Sequence, residues 1–190
     1  MPSISDSQWA GVEQEVGRPL PAELRDLLME VAGEHLLGGN LNIHPLEGDR
    51  LRPWDTPVPD ELVVFGDNGQ GDAFGIWVPR DGGARPVVVE MGAVDEEACL
   101  AVVAQDLESF LRAWGTYYGL LLAEPAQVEE LISELGIPEE LASLDENGSE
   151  DEFYAVLAWA SPGLPDPRPD PYERGLTVEQ VDEFARSDGR

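Results

Sequence analysis

The chain has 190 residues, of which 39 are acidic and 11 basic, for a formal charge of -28 at pH 7. Every basic residue is an arginine, so bulk electrostatics oppose binding to nucleic acid and leave no polybasic segment for an anionic membrane surface. Hydrophobic residues nevertheless make up 42% of the chain, with five Trp, five Phe and four Tyr, which excludes a disordered acidic tail and suffices for a packed core.

The N-terminal stretch MPSISDSQWAGVEQEV has no basic or apolar region of the kind a signal peptide needs, and no apolar run is long enough to cross a bilayer, so a cytoplasmic location is expected. Ser5 and Ser7 precede Trp9, Val12 and Val16, a spacing that predicts an amphipathic helix closed by Gly17. Pro19 and Pro21 end one element and suit the first turn of the next, whose buried face is Leu24, Leu27, Leu28 and Val31 before Gly33. His35 is expected to cap the last carbonyls of this second helix. The period then changes. Leu41–Leu46, Leu62–Phe65, Ala73–Val78 and Pro86–Met91 are short apolar runs between Gly, Pro, Asp and Asn clusters, and predict three or four strands. His44 is expected to face solvent from the first of them. The segments 66–72 (GDNGQGD) and 79–86 (PRDGGARP) are rich enough in glycine to be hairpin turns.

Helical spacing returns at Val103, Leu107, Phe110, Leu111 and Trp114, with Asp95, Glu96 and Glu97 read as the acidic first turn and Cys99 as a small hydrophobe near the start of that buried helix. Val128, Leu131, Ile132 and Leu135 form a further stripe ended by Gly136, followed at Pro138 by a short turn holding Leu141 and Leu144. Residues 145–152 (DENGSEDE) read as a solvated loop. The aromatic-rich run 153–160 (FYAVLAWA) is of strand length and predicts a strand that adds to the sheet or covers its edge. Five prolines in 162–171 predict an extended surface segment, and Thr177 with Gln180 forms a capping box before Val178, Val181, Phe184 and Ala185.

The acid is not evenly spread. Residues 1–122 hold 21 acids against 7 arginines and residues 123–190 hold 18 against 4, so the shorter tail carries the same net charge as the rest. Two explanations compete: a GC-rich, salt-adapted genome that disfavours lysine, or selection for a basic partner. The spread of Trp9, Trp54, Trp77, Trp114 and Trp159 favours one core that includes the tail.

Catalytic chemistry has little to stand on. His35 and His44 are the two histidines, and no nucleophile motif such as G-x-S-x-G is present. Asp67, Asn68 and Asp72 offer hard oxygens, yet they lack the spacing and terminal glutamate of an EF-hand, and no Lys follows for a phosphate loop. With so many carboxylates, accidental proximity is expected and no pair stands out as acid and base. No catalytic, cofactor or metal residues are assigned. The lone Cys99 forbids an intrachain disulfide and leaves too few soft ligands for structural zinc.

In order along the chain, VEQEVGRPLPAELRDLLMEVAG, LNIHPLEG, LVVFGDNGQGDAFGIWV, RPVVVEM and LAVVAQDLESFLRAW together resemble the SUKH superfamily, which includes the fungal Smi/Knr-type cell-wall synthesis regulators and many bacterial immunity proteins. The motif positions are Leu20 and Pro21 at the second helix; Phe65, Gly66, Gly69, Gly71, Asp72 and Phe74 around the central hairpin; and Phe110 and Leu111 in the closing helix. The resemblance covers about residues 6–122. It departs where Ala32–Gly33 replaces the family's Asn-Gly, and residues 123–190 have no placed counterpart. The resemblance implies an α+β fold: an N-terminal helical pair, a twisted and mostly antiparallel sheet, and helices packed against it. A SUKH-like domain over 1–122 is then followed by an acidic extension over 123–190 packed on the same core. It also implies a non-catalytic protein-binding module, most typically an intracellular antidote that neutralises a secreted or injected toxin, often a nuclease, and the strong negative charge is consistent with a basic, nuclease-like bacterial toxin as the target. Independently of that resemblance, the glycines would let the chain reverse and Asp72 would accept from turn amides. Asp67, Asp72, Asp81, Glu150, Asp151 and Glu152 are the carboxylates expected to meet a basic partner. The alternative is a regulatory or scaffold protein reading an endogenous partner, with the proline-rich stretch as its ligand.

Overall fold

A computed structural model describes residues 4–47, 50–51, 58–79, 87–94, 97–141, 150–164 and 175–187. The first helix, α1 (Asp6–Val16), begins at a capping box between Ser5 and Gln8 and stops at Gly17, whose φ of 79° a side chain would resist. Helix α2 (Ala22–Val31) follows Pro21 and buries Leu24 and Leu28. His35 does not cap it. The chain instead enters strand β1 (His35–Leu36), where the exposed ring meets Asn42.

The main sheet has six strands, and each neighbouring pair is antiparallel. Its order is β1, β2 (Leu41–Ile43), β5 (Leu62–Asp67), β6 (Ala73–Trp77), β7 (Val87–Val94) and β8 (Glu97–Ala104). The short strands β3 (Leu46–Glu47) and β4 (Arg50–Leu51) form a separate hairpin. Helix α3 (Leu107–Leu122) starts at Asp106, whose carboxylate accepts from the Ser109 amide at 2.7 Å. The helix therefore starts ten residues beyond Glu97, and Cys99 and Val103 lie on β8 instead. The run 98–104 is apolar on both faces because both faces of β8 are covered, and such a run carries no period that separates strand from helix.

Helices α1, α2 and α3 share one core with the sheet, built around Trp9, Leu24, Phe65, Phe74, Phe110 and Trp114. Phe74 and Trp114 meet edge to face at 4.6 Å between ring centres, and Phe65 meets Phe110 in the same way at 5.9 Å. Pairs of this geometry add about 0.5–1.5 kcal/mol beyond their burial. The hairpin side chains divide between the two faces of the sheet: Phe65, Phe74 and Ile76 face α3, while Trp77 faces the opposite side.

Beyond α3, α4 (Pro125–Leu135) ends at Gly136 with φ 64°, in agreement with the stripe read there. The run 153–160 is helical, within α5 (Glu150–Ala160), and correspondingly Glu150, Asp151 and Glu152 open a helix where a loop was expected. Alanines at 155, 158 and 160 favour the helix, and Leu157 and Ala160 pack on Ala113 of α3. Edge protection falls to a different segment: Leu176 pairs with Leu100 of β8, its amide donating to the Leu100 carbonyl at 2.7 Å. Gly175 passes so close that a Cβ there would sit 2.7 Å from Cys99 Cα. The last helix, α6 (Val178–Arg186), starts at the Thr177–Gln180 capping box. It buries Val181 and Ala185 against Leu62, Val64, Trp77 and Val102 on the sheet face away from α3. Asp182 accepts from Trp77 Nε1 at 3.1 Å and from Arg186 Nε at 2.9 Å. Residues 81–86, 142–149 and 165–171, which carry the second glycine turn, Leu144 and most of the proline-rich stretch, lie outside the described residues, as does Trp54.

Candidate functional site

The β5–β6 turn holds itself in shape through its own side chains. Asn68 Oδ1 accepts from the amides of Gln70 at 2.8 Å and Asp72 at 3.1 Å, and Asn68 Nδ2 donates to Asp72 Oδ2 at 2.7 Å. Asp67 Oδ1 accepts from the Gly69 amide at 2.7 Å. The turn amides are thus accepted by Asp67 and Asn68, whereas Asp72, 9% exposed, receives an amide side chain. The glycines differ in purpose. Gly69 and Gly71 supply φ of 71° and 114°, which the reversal needs. Gly66 sits within β5, and it is glycine because a Cβ would come 2.5 Å from the Asn42 carbonyl oxygen on β2.

Asp67 also ties the turn to β2. Its Oδ1 accepts from Asn42 Nδ2 at 2.7 Å, and its Oδ2 from His44 Nε2 at 2.8 Å. His35 Nδ1 lies 2.5 Å from Asn42 Oδ1. His44 is therefore buried, at 3% exposure, and not solvent-facing. Strand β2 ends at Ile43, so the alternation that would put residue 44 outside has already stopped, and the His44 amide donates to the Phe65 carbonyl at 2.9 Å. Burial alone would raise the Asp67 pKa, but bonds from Asn42, His44 and the Gly69 amide, with the charge of His44, outweigh it and hold the carboxyl below its ordinary value. A histidine–aspartate pair of this kind could orient a base. The hydrogen bonds on Asp67, however, shape the turn through the Gly69 amide and clamp it to β2 through Asn42 and to the residue after β2 through His44.

On the other side of Asp72 stands a group that the sequence reading missed. Glu90 of β7 pairs in register with Phe74 and Ala101, both members of the core beneath α3, so its carboxyl turns to that side. Burial pushes its pKa from 4.5 up to about 8, with the nearby Asp72 charge adding to the effect. Tyr118 of α3 belongs to the same cluster. Its phenol is raised by burial first, then by Tyr117 and by the charge of Glu90. The run 87–91 is apolar on both faces, so nothing in its pattern marks Glu90 as inward.

The acids expected to meet a partner fall in two places. Asp67 and Asp72 share the β5–β6 turn, where both are bonded internally. Glu150 and Asp151 open α5, and Glu152, half-buried, stands beside Tyr117, whose phenol is raised by burial and by that carboxylate. Asp81 lies outside the described residues. Among the described residues no group of three or more His, Cys, Asp or Glu side chains is placed to hold a metal ion, and no helix is long and apolar enough to cross a membrane.

A helical pair leading into an antiparallel sheet, a self-bonded glycine turn at its centre and a long helix across one face together define a SUKH-type α+β domain. The model of the SMI1 / KNR4 family (SUKH-1) matches residues 3–113, more than half of the chain, and the chain belongs to that family. Domains of the family are of the immunity and regulatory type and are generally non-catalytic. The match ends within α3, leaving α4, α5 and α6 outside it. No curated protein and no solved structure matches the chain.

Proposed function

We propose that this protein is an immunity-type inhibitor, a non-catalytic module that neutralises a basic, nuclease-like bacterial toxin domain by covering its active site. The observation that carries this reading is a formal charge of -28 without one lysine, set on a SUKH-1 domain. An enzyme that grips nucleic acid must present a cationic surface to the phosphates. A dense negative field steers encounter with that surface, and carboxylates occupy the positions the phosphates would take. A standard interface of about 1,600 Å² needs roughly 20–30 residues a side. Exposed acids are plentiful enough to supply its charged part: Glu23, Asp26, Glu30 and Glu34 on and after α2, and Glu129, Glu130 and Glu134 on α4, followed by Glu139 and Glu140.

The test is capture from cells of the source with the purified chain as bait, at low and at high salt. The reading expects one basic toxin or nuclease domain, bound tightly at low salt and weakly at high salt. Recovery of signalling or envelope proteins that bind regardless of salt would replace it with a regulatory or scaffold role.

A further inference from the structure

Between the C-terminal half of α3, the turn Leu37–Gly39 and α4 lies an open groove of about 360 Å³. Its floor is Leu37, Tyr118, Leu122 and Leu131, and its rim carries Glu130 and Glu134. Three features set it apart from ordinary surface. Leu122 is 57% exposed, the most open of the large hydrophobic side chains among the described residues. Leu37 has a φ of 51°, the single non-glycine residue with positive φ among the described residues, a conformation that a bulky side chain resists, and the backbone beside it at Gly38 runs so close to Leu122 that a Cβ there would lie 3.5 Å from its Cδ1. Glu130 and Glu134 stand one helical turn apart, so two like charges repel on the same face, and the lining holds no cation to relieve them.

We propose that this groove is the docking site for a helical segment of a basic partner, one that inserts an aliphatic or aromatic side chain between Leu122 and Leu131 and places lysine or arginine over Glu130 and Glu134. The choice of occupant rests on the inhibitor reading above. A second copy of the chain fits poorly, because a rim of paired glutamates would face a molecule of charge -28. An apolar floor with an acidic rim is complementary to an amphipathic cationic helix, whose apolar anchors recur every three or four residues. The groove would then supply the apolar centre of the interface and the surrounding acids its polar rim.

An amide-resolved NMR titration of the full chain with a leucine–lysine amphipathic helical peptide tests the site directly. Shifts are expected to concentrate at Leu37, Tyr118, Leu122 and Leu131, and affinity to fall about tenfold in E130Q/E134Q and again in L122S. The same peptide with serine for leucine should bind weakly. Both changes lie on exposed helix surface, and a matching urea midpoint would exclude misfolding. Shifts spread over the acidic surface, or equal binding by wild type and both variants, would overturn the proposal. Capture of a basic nuclease that E130Q/E134Q and L122S inhibit as well as wild type would also remove the groove while leaving the inhibitor reading in place. Localised peptide binding without any basic protein captured would do the reverse.

Discussion

Ionisation of Glu90 opposes the fold. Its carboxyl lies beneath α3 beside Asp72 and Tyr118, with a pKa raised from 4.5 to about 8. Below the lower value the group is protonated in both folded and unfolded chains. As pH rises between the two, the unfolded chain releases the proton and the fold keeps it, so stability falls and the loss is complete above the upper value. Each unit corresponds to about 1.4 kcal/mol, and because Glu90 keeps partial exposure to solvent the loss amounts to a few kcal/mol. Glu90→Gln keeps the shape and removes the ionisation. Urea unfolding of both proteins should give similar stabilities at about pH 5 and a variant more stable by several kcal/mol at about pH 9. Because every other carboxylate is common to both proteins, the difference isolates this one group. Equal differences at the two pH values, or a wild type that gains on the variant as pH rises, would refute the placement of Glu90 on the sheet face beneath α3.

Gly66→Ala should cost about 1–3 kcal/mol, read from the urea midpoint, because the new Cβ meets the Asn42 carbonyl oxygen at 2.5 Å and backbone must shift. Asp67→Asn should cost about 1–3 kcal/mol at neutral pH. The Asp67 pKa is lowered in the fold, so that contribution is present above the unfolded value of 3.8 and should vanish as pH falls through the folded one, which a pH series of thermal melts would reveal. Val181→Asp places a charge on the buried face of α6 against Leu62 and Trp77, and should destabilise the whole chain by about 3 kcal/mol or more, with one cooperative transition retained in the wild type. A sheet that melts unchanged in this variant would mean that α6 contributes nothing to the core.

The elements that the sequence marks most clearly are those with one dry face and a punctuated end. Ser5 with Gly17 bounds α1 and Thr177 with Gln180 starts α6, because a cap is a local hydrogen bond that short-range sequence specifies. The glycine spacing of 66–72 likewise gives the central hairpin, although Gly66 turned out to serve close strand approach and not reversal. What failed were apolar runs with no legible period. β8 and α5 are each nearly continuous apolar runs, and the feature that distinguishes them, what lies above and below, belongs to the tertiary fold. Asp95, Glu96 and Glu97 resembled a helix start because acids suit that position, yet Glu97 opens a strand. The candidate site was legible in part. Asp67, Asp72 and their turn were visible as polar residues among glycines, but the internal bonding that occupies them depends on Asn42 and His44, 25 and 23 residues away. Glu90 had no signal at all, since valines and methionine surround it on both strand faces. The groove at α3 and α4 needed the turn at Leu37 to close it.

An acidic surface that serves to stop a basic toxin should do so in a purified system, and the decisive experiment titrates the purified chain into a captured basic nuclease. Cleavage of nucleic acid is expected to fall to zero at one chain per nuclease, added salt to weaken the inhibition, and E130Q/E134Q to shift the titration to higher concentration. Nuclease activity unchanged at saturating protein and low salt would contradict it.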